Sequence, residues 1–135
     1  MIIGHGIDII EIDRIREMLE RHGDRFVHRV YTPNEAGYCR EYADPTARFA
    51  ARFAAKEAAL KVLGTGWRDG IAWTDVEVRN LPSGAPTLVL SGKAAEIAVG
   101  LGITKWHISL SHSKQLATAS VIGEDDRAPF APGQT

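Results

Sequence analysis

Residues 46–63, TARFAARFAAKEAALKVL, constrain this chain more than any other stretch. They are rich in alanine and other strong helix formers, follow Asp44–Pro45, and are closed by Gly64, a residue suited to the left-handed turn that ends a helix. The reading is one long helix, the central element against which the rest packs. At 100° per residue, Phe49, Phe53 and Leu60 fall on one stripe with Lys56, while Glu57 and Lys61 lie along its border. Glu57 and Lys61 are one turn apart, and an i,i+4 ion pair on a solvated edge is the ordinary reading. The Gly64–Thr65–Gly66 sequence that follows is a plain way to leave a helix, and equally a loop able to turn backbone N–H groups toward a phosphate.

Residues 2–10 read as a strand, with Ile3, His5, Ile7 and Ile9 on one side and Ile2, Gly4, Gly6, Asp8 and Ile10 on the other. Asp8 is the anomaly. A carboxylate in a run of isoleucines that looks buried must face a cation, a metal or several hydrogen bonds. It shares its face with two glycines, which let another segment or a ligand come close to the backbone. From Ile12 the spacing becomes helical through Ile15, Met18 and Leu19 and stops near Gly23. Thr32-Pro33-Asn34-Glu35 has the form of a capping box and starts a short helix running to about Tyr42. GIAWTDVEVR and APTLVL read as two strands joined in a hairpin by NLPSG, residues 92–101 as a helix, and KWHISLSHSKQLATASVI as two strands turning near Lys114. The fold class is α+β, a mainly antiparallel sheet packed against the long helix. Residues 1–123 form a single domain, and the tail from 124 to 135 is expected to be unstructured.

With 135 residues and 44% hydrophobic content the chain can bury a core unaided. A net charge of −1 argues against a nucleic-acid binder, and no apolar run approaches a membrane span. Residues 1–12 lack a basic leader, so secretion is not expected. Cys39, the one cysteine, fits a reducing cytoplasm and reads as an ordinary helix residue. Arg14, Arg16, Arg21, Arg25 and Arg29 crowd one stretch, either a solvated helix face or a docking surface for an acidic partner. In SLSHSK, alternation sends Ser111 and His112 to opposite faces, which excludes a local Ser–His nucleophilic pair. The histidines show no zinc-like spacing; a metal, if present, would be a hard one held by oxygen.

Three stretches, GHGIDIIEIDRI, RFAAKEAALKVLGTG and ISLSHSKQLATASVI, together resemble the holo-acyl-carrier-protein synthases, small phosphopantetheinyl transferases, and the resemblance covers about residues 1–123. It implies the phosphopantetheinyl transferase fold and transfer of the 4'-phosphopantetheine arm of coenzyme A to a serine of acyl carrier protein, for fatty acid biosynthesis, releasing adenosine 3',5'-bisphosphate. It also implies a Mg²⁺ cofactor held by Asp8 and Glu57, with Asp8, Glu57 and Lys61 as catalytic residues. Arg52 and Lys61 match positions contacting coenzyme A phosphates, Gly64 and Gly66 a close-approach loop, and Ser111 and His112 contacts near the 3'-phosphate. Glu57, a metal-bound hydroxide and Lys61 all remain candidates to take the serine proton. Because acyl carrier proteins are acidic around that serine, Arg14, Arg21 and Arg25 become the expected docking residues. A homotrimer with sites shared between protomers is implied as well. His5 stands where the family more often has an aliphatic residue, and the proline-rich tail has no recognised counterpart. Polyketide or peptide-synthase carriers are alternative acceptors. A metal-dependent phosphohydrolase and a non-catalytic coenzyme A binding module are the more distant alternatives.

Overall fold

The long helix forms with the bounds its composition predicts, and its alanines explain what surrounds it. In the computed structural model, which describes residues 1–67 and 70–127, the chain runs β1 (Ile2–Glu11), α1 (Ile12–His22), α2 (Asp24–Val30), α3 (Pro33–Cys39), α4 (Thr46–Leu63), a 3₁₀ turn (Trp73–Asp75), β2 (Val76–Asn80), β3 (Pro86–Leu90), α5 (Gly92–Leu101), β4 (Lys105–His112) and β5 (Leu116–Glu124). Ala50, Ala54, Ala55, Ala58 and Ala59 of α4 are fully buried. Such small side chains let the helix lie tightly on a sheet. At Gly6 of β1 the approach is so close that a Cβ there would sit 2.0 Å from the Ala58 carbonyl oxygen. The chain segment that the strand glycines admit is therefore α4 itself.

The strands divide into a three-stranded antiparallel sheet, β1-β5-β4, and a separate β2-β3 hairpin. Asp8 is opposite Ala119, which is opposite Leu110; Ile9 is opposite Thr118, which is opposite Ser111. Those two rows point to opposite faces. The Asp8 row faces α4, where Ala117, Ala119 and Val121 are buried, whereas Ile7 and Ile9 on the other face are 64% and 60% exposed. The isoleucine run is thus a strand, but only half of it is buried, and the carboxylate is on the packed side.

Helix α2 was not expected. It is short and basic outside, and anchored by Phe26, Val27 and Val30, with the Tyr31 ring packed between Phe26 and Phe49 and the Tyr31 hydroxyl donating to the Phe49 carbonyl at 2.7 Å. Helix α3 begins on the Thr32–Glu35 capping box as read, but stops at Cys39. The expected strand over residues 70–79 is extended only from Val76, because Asp75 Oδ2 accepts from the Ala72 amide and tightens 73–75 into a turn. At the C-terminal end β5 runs through Glu124, one residue beyond the expected boundary. Asp125 is tied back by its amide to the Met1 carbonyl at 2.8 Å, and the Asp126 amide donates to Thr104 Oγ1 at 2.9 Å. The rest of the expected unstructured tail, 128–135, lies outside the described residues. No described helix is long and apolar enough to cross a membrane.

Candidate functional site

The crossing of β1 over α4 brings the first carboxylate to the helix. Lys61 Nζ donates to the Ile7 carbonyl at 2.7 Å and to Asp8 Oδ1 at 3.3 Å. The cation that Asp8 requires is therefore Lys61, and the expected Glu57–Lys61 pair gives way to a pair between helix and strand. Side-chain exposure is 54% for Lys61 and 20% for Asp8, so the pair sits at a rim open to solvent. Glu57, one turn before Lys61 and next to the Ala58–Gly6 contact, is half-buried at the same crossing, and its Oε1 accepts from Trp67 Nε1 at 3.3 Å. Asp8 and Lys61 thus meet where the strand and the helix touch, and Glu57 lies one helical turn before Lys61.

These carboxylate oxygens suit a hard divalent cation. Among the described residues no group of three or more His, Cys, Asp or Glu is assembled for a metal. A cation held by Asp8 and Glu57 would complete its shell with phosphate oxygens and water, which is the habit of Mg²⁺.

Gly64 caps α4 in the left-handed conformation, φ 77°, with its amide donating to the Leu60 carbonyl at 2.8 Å, and Gly66 has φ 59°. A side chain at either position would be strained. Together the two glycines turn the chain back so that Trp67 comes alongside Glu57.

Arg52 is directed elsewhere. It is 4% exposed, with its guanidinium 4.0 Å above the Tyr38 ring and Nη2 donating to Asn80 Oδ1 at 3.4 Å. Its Nε is buried without a hydrogen-bond partner among the described residues. It opens onto a cavity of about 740 Å³ between α3 and β2, lined also by Asn34, Tyr38, Glu41, Arg79 and Asn80. A buried, incompletely satisfied guanidinium at a cavity wall suits an anion. A hydrogen bond from Tyr42, with help from Asn80 and the two nearby arginines, holds the Tyr38 phenol below its ordinary range.

Ser111 and His112 are exposed on β4. Within one chain Ser111 is two strands away from β1 and on the face opposite Asp8, so the fold does not bring them together. Arg14, Arg21 and Arg25 are exposed on α1 and α2 and make no ion pair among the described residues, unlike Arg16 and Arg40 nearby. A small hollow of about 240 Å³ lined by Met18, His22, Arg25, Phe26 and Arg29 lies on this basic surface.

Three features escaped the sequence reading. Lys56 is fully buried and pairs with Glu35 at 2.8 Å. It also donates to the carbonyls of Trp73, at 3.2 Å, and Val76. Desolvation pulls the Lys56 pKa down, and Glu35 opposes that shift. Glu35, read only as a helix cap, additionally accepts from the Val78 amide at 2.9 Å. The one available signal was Lys56 lying on the phenylalanine stripe. The third is Trp67, whose ring packs on Trp73 with centroids 3.6 Å apart and the planes tilted by 35°. Cys39 is buried, and desolvation pushes its thiol up to about 12, which makes it inert as read.

Similarity to known proteins shows the family. The family model described as the 4'-phosphopantetheinyl transferase superfamily matches residues 4–121. The chain is 56% identical over 125 residues to the holo-(acyl-carrier-protein) synthase of Koribacter versatilis, covering 93% of this chain and 100% of that one. Its structure is similar to the crystal structure of the holo-(acyl-carrier-protein) synthase from Neisseria meningitidis, with a TM-score of 0.82 at 31% identity over 92% of this chain and 99% of that one. It is also similar to the Helicobacter pylori holo-(acyl-carrier-protein) synthase in complex with coenzyme A, with a TM-score of 0.79 at 30% identity over 90% and 100% of the two chains.

Proposed function

The chain belongs to the 4'-phosphopantetheinyl transferase superfamily, and we propose that it transfers the 4'-phosphopantetheine arm of coenzyme A to a serine of apo acyl carrier protein. The observation that carries this reading is the convergence of Asp8, Glu57 and Lys61 at one crossing in a chain that matches a holo-(acyl-carrier-protein) synthase over that relative's full length. In the reaction the serine oxygen bonds to the pyrophosphate phosphorus that carries the pantetheine arm, the P–O–P bond breaks, and adenosine 3',5'-bisphosphate leaves.

Asp8 and Glu57 would hold Mg²⁺, which when bound supplies positive charge against the pyrophosphate. Lys61, anchored by Ile7 and Asp8 and still half-exposed, adds a fixed positive charge beside the leaving phosphate. Glu57 would take the serine proton on the carboxylate oxygen that does not bind the cation. Arg52, whose guanidinium forms part of the wall of the α3–β2 cavity, would meet a coenzyme A phosphate there. Gly64 and Gly66 keep the loop after α4 thin enough for close approach of the phosphates.

Ser111 and His112 serve the same site from a neighbouring copy. Ser111 on the face opposite Asp8, and the exposed Ile7 and Ile9 on that uncovered face, support a closed homotrimer that buries it. Arg14, Arg21 and Arg25, without ion pairs among the described residues, receive the acidic carrier. The reading carries with it a cytoplasmic site of action in fatty acid biosynthesis, in keeping with the free buried thiol of Cys39.

The test is incubation with coenzyme A, Mg²⁺ and apo acyl carrier protein, followed by the intact mass of the carrier. Gain of one phosphopantetheine is expected. Cleavage of coenzyme A without any carrier would instead identify a phosphohydrolase, and binding without product a coenzyme A binding module. Faster modification of polyketide or peptide-synthase carriers would reassign the acceptor.

A further inference from the structure

Glu57 and Asp8 are oriented by different chemistry. Asp8 meets an ammonium, whereas Glu57 receives a neutral donor, the indole N–H of Trp67, ten positions further along the chain. Among the described residues no other donor reaches the Glu57 carboxylate. A neutral donor fixes a carboxylate without cancelling its charge, which is the arrangement that favours cation binding.

Trp67 is itself held firmly for a loop residue. Its ring lies on Trp73 at 3.6 Å between centroids, and Trp73 stacks on Phe53 at 4.9 Å and 28°. Phe53 is one turn before Glu57 on α4, so the stack starts from the same helix that it returns to. The Trp73 backbone is pinned in turn, since its carbonyl accepts from buried Lys56 at 3.2 Å. The indole N–H thus has a defined position relative to Glu57 despite leaving α4 through a glycine turn.

We propose that Trp67 is a positioning residue for Glu57: its N–H occupies Oε1 and leaves Oε2 presented to a divalent cation. This rests on reading Glu57 as a metal ligand. The consequence is tighter cation binding at unchanged net charge, and orientation partners of metal ligands typically contribute about 10-fold or more in affinity.

The experiment is titration of the intact protein with Mn²⁺ in the presence of coenzyme A, following free Mn²⁺ by electron paramagnetic resonance. Mg²⁺ activation of transfer is measured alongside. Trp67→Phe keeps an aromatic ring against Trp73 and removes the N–H together with the rest of the pyrrole ring. It is expected to weaken Mn²⁺ binding about 10-fold and to raise the Mg²⁺ concentration for half-maximal rate by a similar factor. KM for the carrier should stay within about twofold. Trp73→Phe preserves both the stack and the Trp67 N–H, and its Mn²⁺ affinity should match wild type. A merely structural stack would move under both substitutions alike, and that result overturns the proposal. Wild-type Mn²⁺ affinity in folded Trp67→Phe overturns it too, and if Glu57→Gln nonetheless loses the ion, the ligand reading survives on its own. Unchanged Mn²⁺ binding in Glu57→Gln would instead bring down the ligand reading and this inference together.

Discussion

Helix α4 carries two lysine–carboxylate pairs, and what separates them is bonding capacity left over. Lys56 and Glu35 are both 0% exposed and 2.8 Å apart; Lys61 and Asp8 are 54% and 20% exposed and 3.3 Å apart. An ammonium has three protons to donate. Lys56 spends its three on Glu35 and on the carbonyls of Trp73 and Val76. Glu35 likewise accepts from Lys56, from the Thr32 amide and from the Val78 amide. That cluster joins α3, α4 and the β2 edge, with nothing to offer a substrate. Lys61 uses two donors, on Ile7 and Asp8, and keeps one facing solvent. A lysine–carboxylate pair is closed architecture in one place and left open to solvent in the other, and only burial with a full partner count tells them apart.

The largest separation is expected in activity. Asp8→Asn removes a charge from the open pair while Lys61 stays anchored on the Ile7 carbonyl. Transfer should fall about 1,000-fold, the scale seen when an electrostatic contributor to a transition state is lost, with the thermal midpoint nearly unchanged. Activity within a few-fold of wild type at ordinary Mg²⁺ would remove Asp8 from the reaction. The buried pair should respond in the opposite sense. Lys56→Met strands Glu35 as an uncompensated buried charge and should cost about 3–5 kcal/mol in urea unfolding. Adding Glu35→Gln, which keeps an acceptor for Val78 without the charge, should recover part of that loss. If single and double variants unfold at the same urea concentration, the buried charge is not the cause.

Local rules made much of this molecule legible. Alanine density and Gly64 gave α4 its bounds, and the Thr32–Glu35 box gave α3 its start. The two glycines of β1 announced a close approach, and of the compensations open to Asp8, a cation, a metal or several hydrogen bonds, the fold itself supplies Lys61. What was not legible depended on contacts distant in sequence. Whether Lys61 turns to Glu57 or to Asp8 is decided by where β1 crosses α4. The exposure of Ile7 and Ile9 follows from α4 covering only one side of the sheet. Helix α2 hid because its seven residues are too few for a clear periodicity, and its basic positions dominated the pattern. Trp67 became meaningful only once the glycine turn had folded it back onto Glu57.

A third carboxylate on α4's entry completes the comparison, with the smallest expected effect. Asp44 is 64% exposed on its side chain and 3.4 Å from Arg16, the exposed kind of ion pair that contributes little. Its other contacts are of a different kind: Oδ1 accepts from the Thr46 amide at 3.1 Å and the Thr46 hydroxyl at 2.7 Å, satisfying a donor at the start of the helix. Those Thr46 hydrogen bonds, with a smaller contribution from Arg16, hold the Asp44 carboxyl below its ordinary value of 3.8. Asp44→Ala should therefore cost about 1 kcal/mol, as loss of a helix-start cap does, and Arg16→Gln only about 0.5 kcal/mol or less. The pH dependence separates cap from ion pair further. A carboxyl whose folded value lies below its unfolded one gives its full stabilisation above about pH 3.8 and loses it as pH falls through the folded value. The difference in urea midpoint between wild type and Asp44→Ala should accordingly be constant from neutral pH down to about 5 and shrink below 4. Added salt should leave it largely intact, because the bonds to Thr46 are short-range, whereas the Arg16→Gln difference should fade. If Asp44→Ala and Arg16→Gln are equal in size and equally salt-sensitive, the entry to α4 is held by the ion pair, and the cap assignment fails.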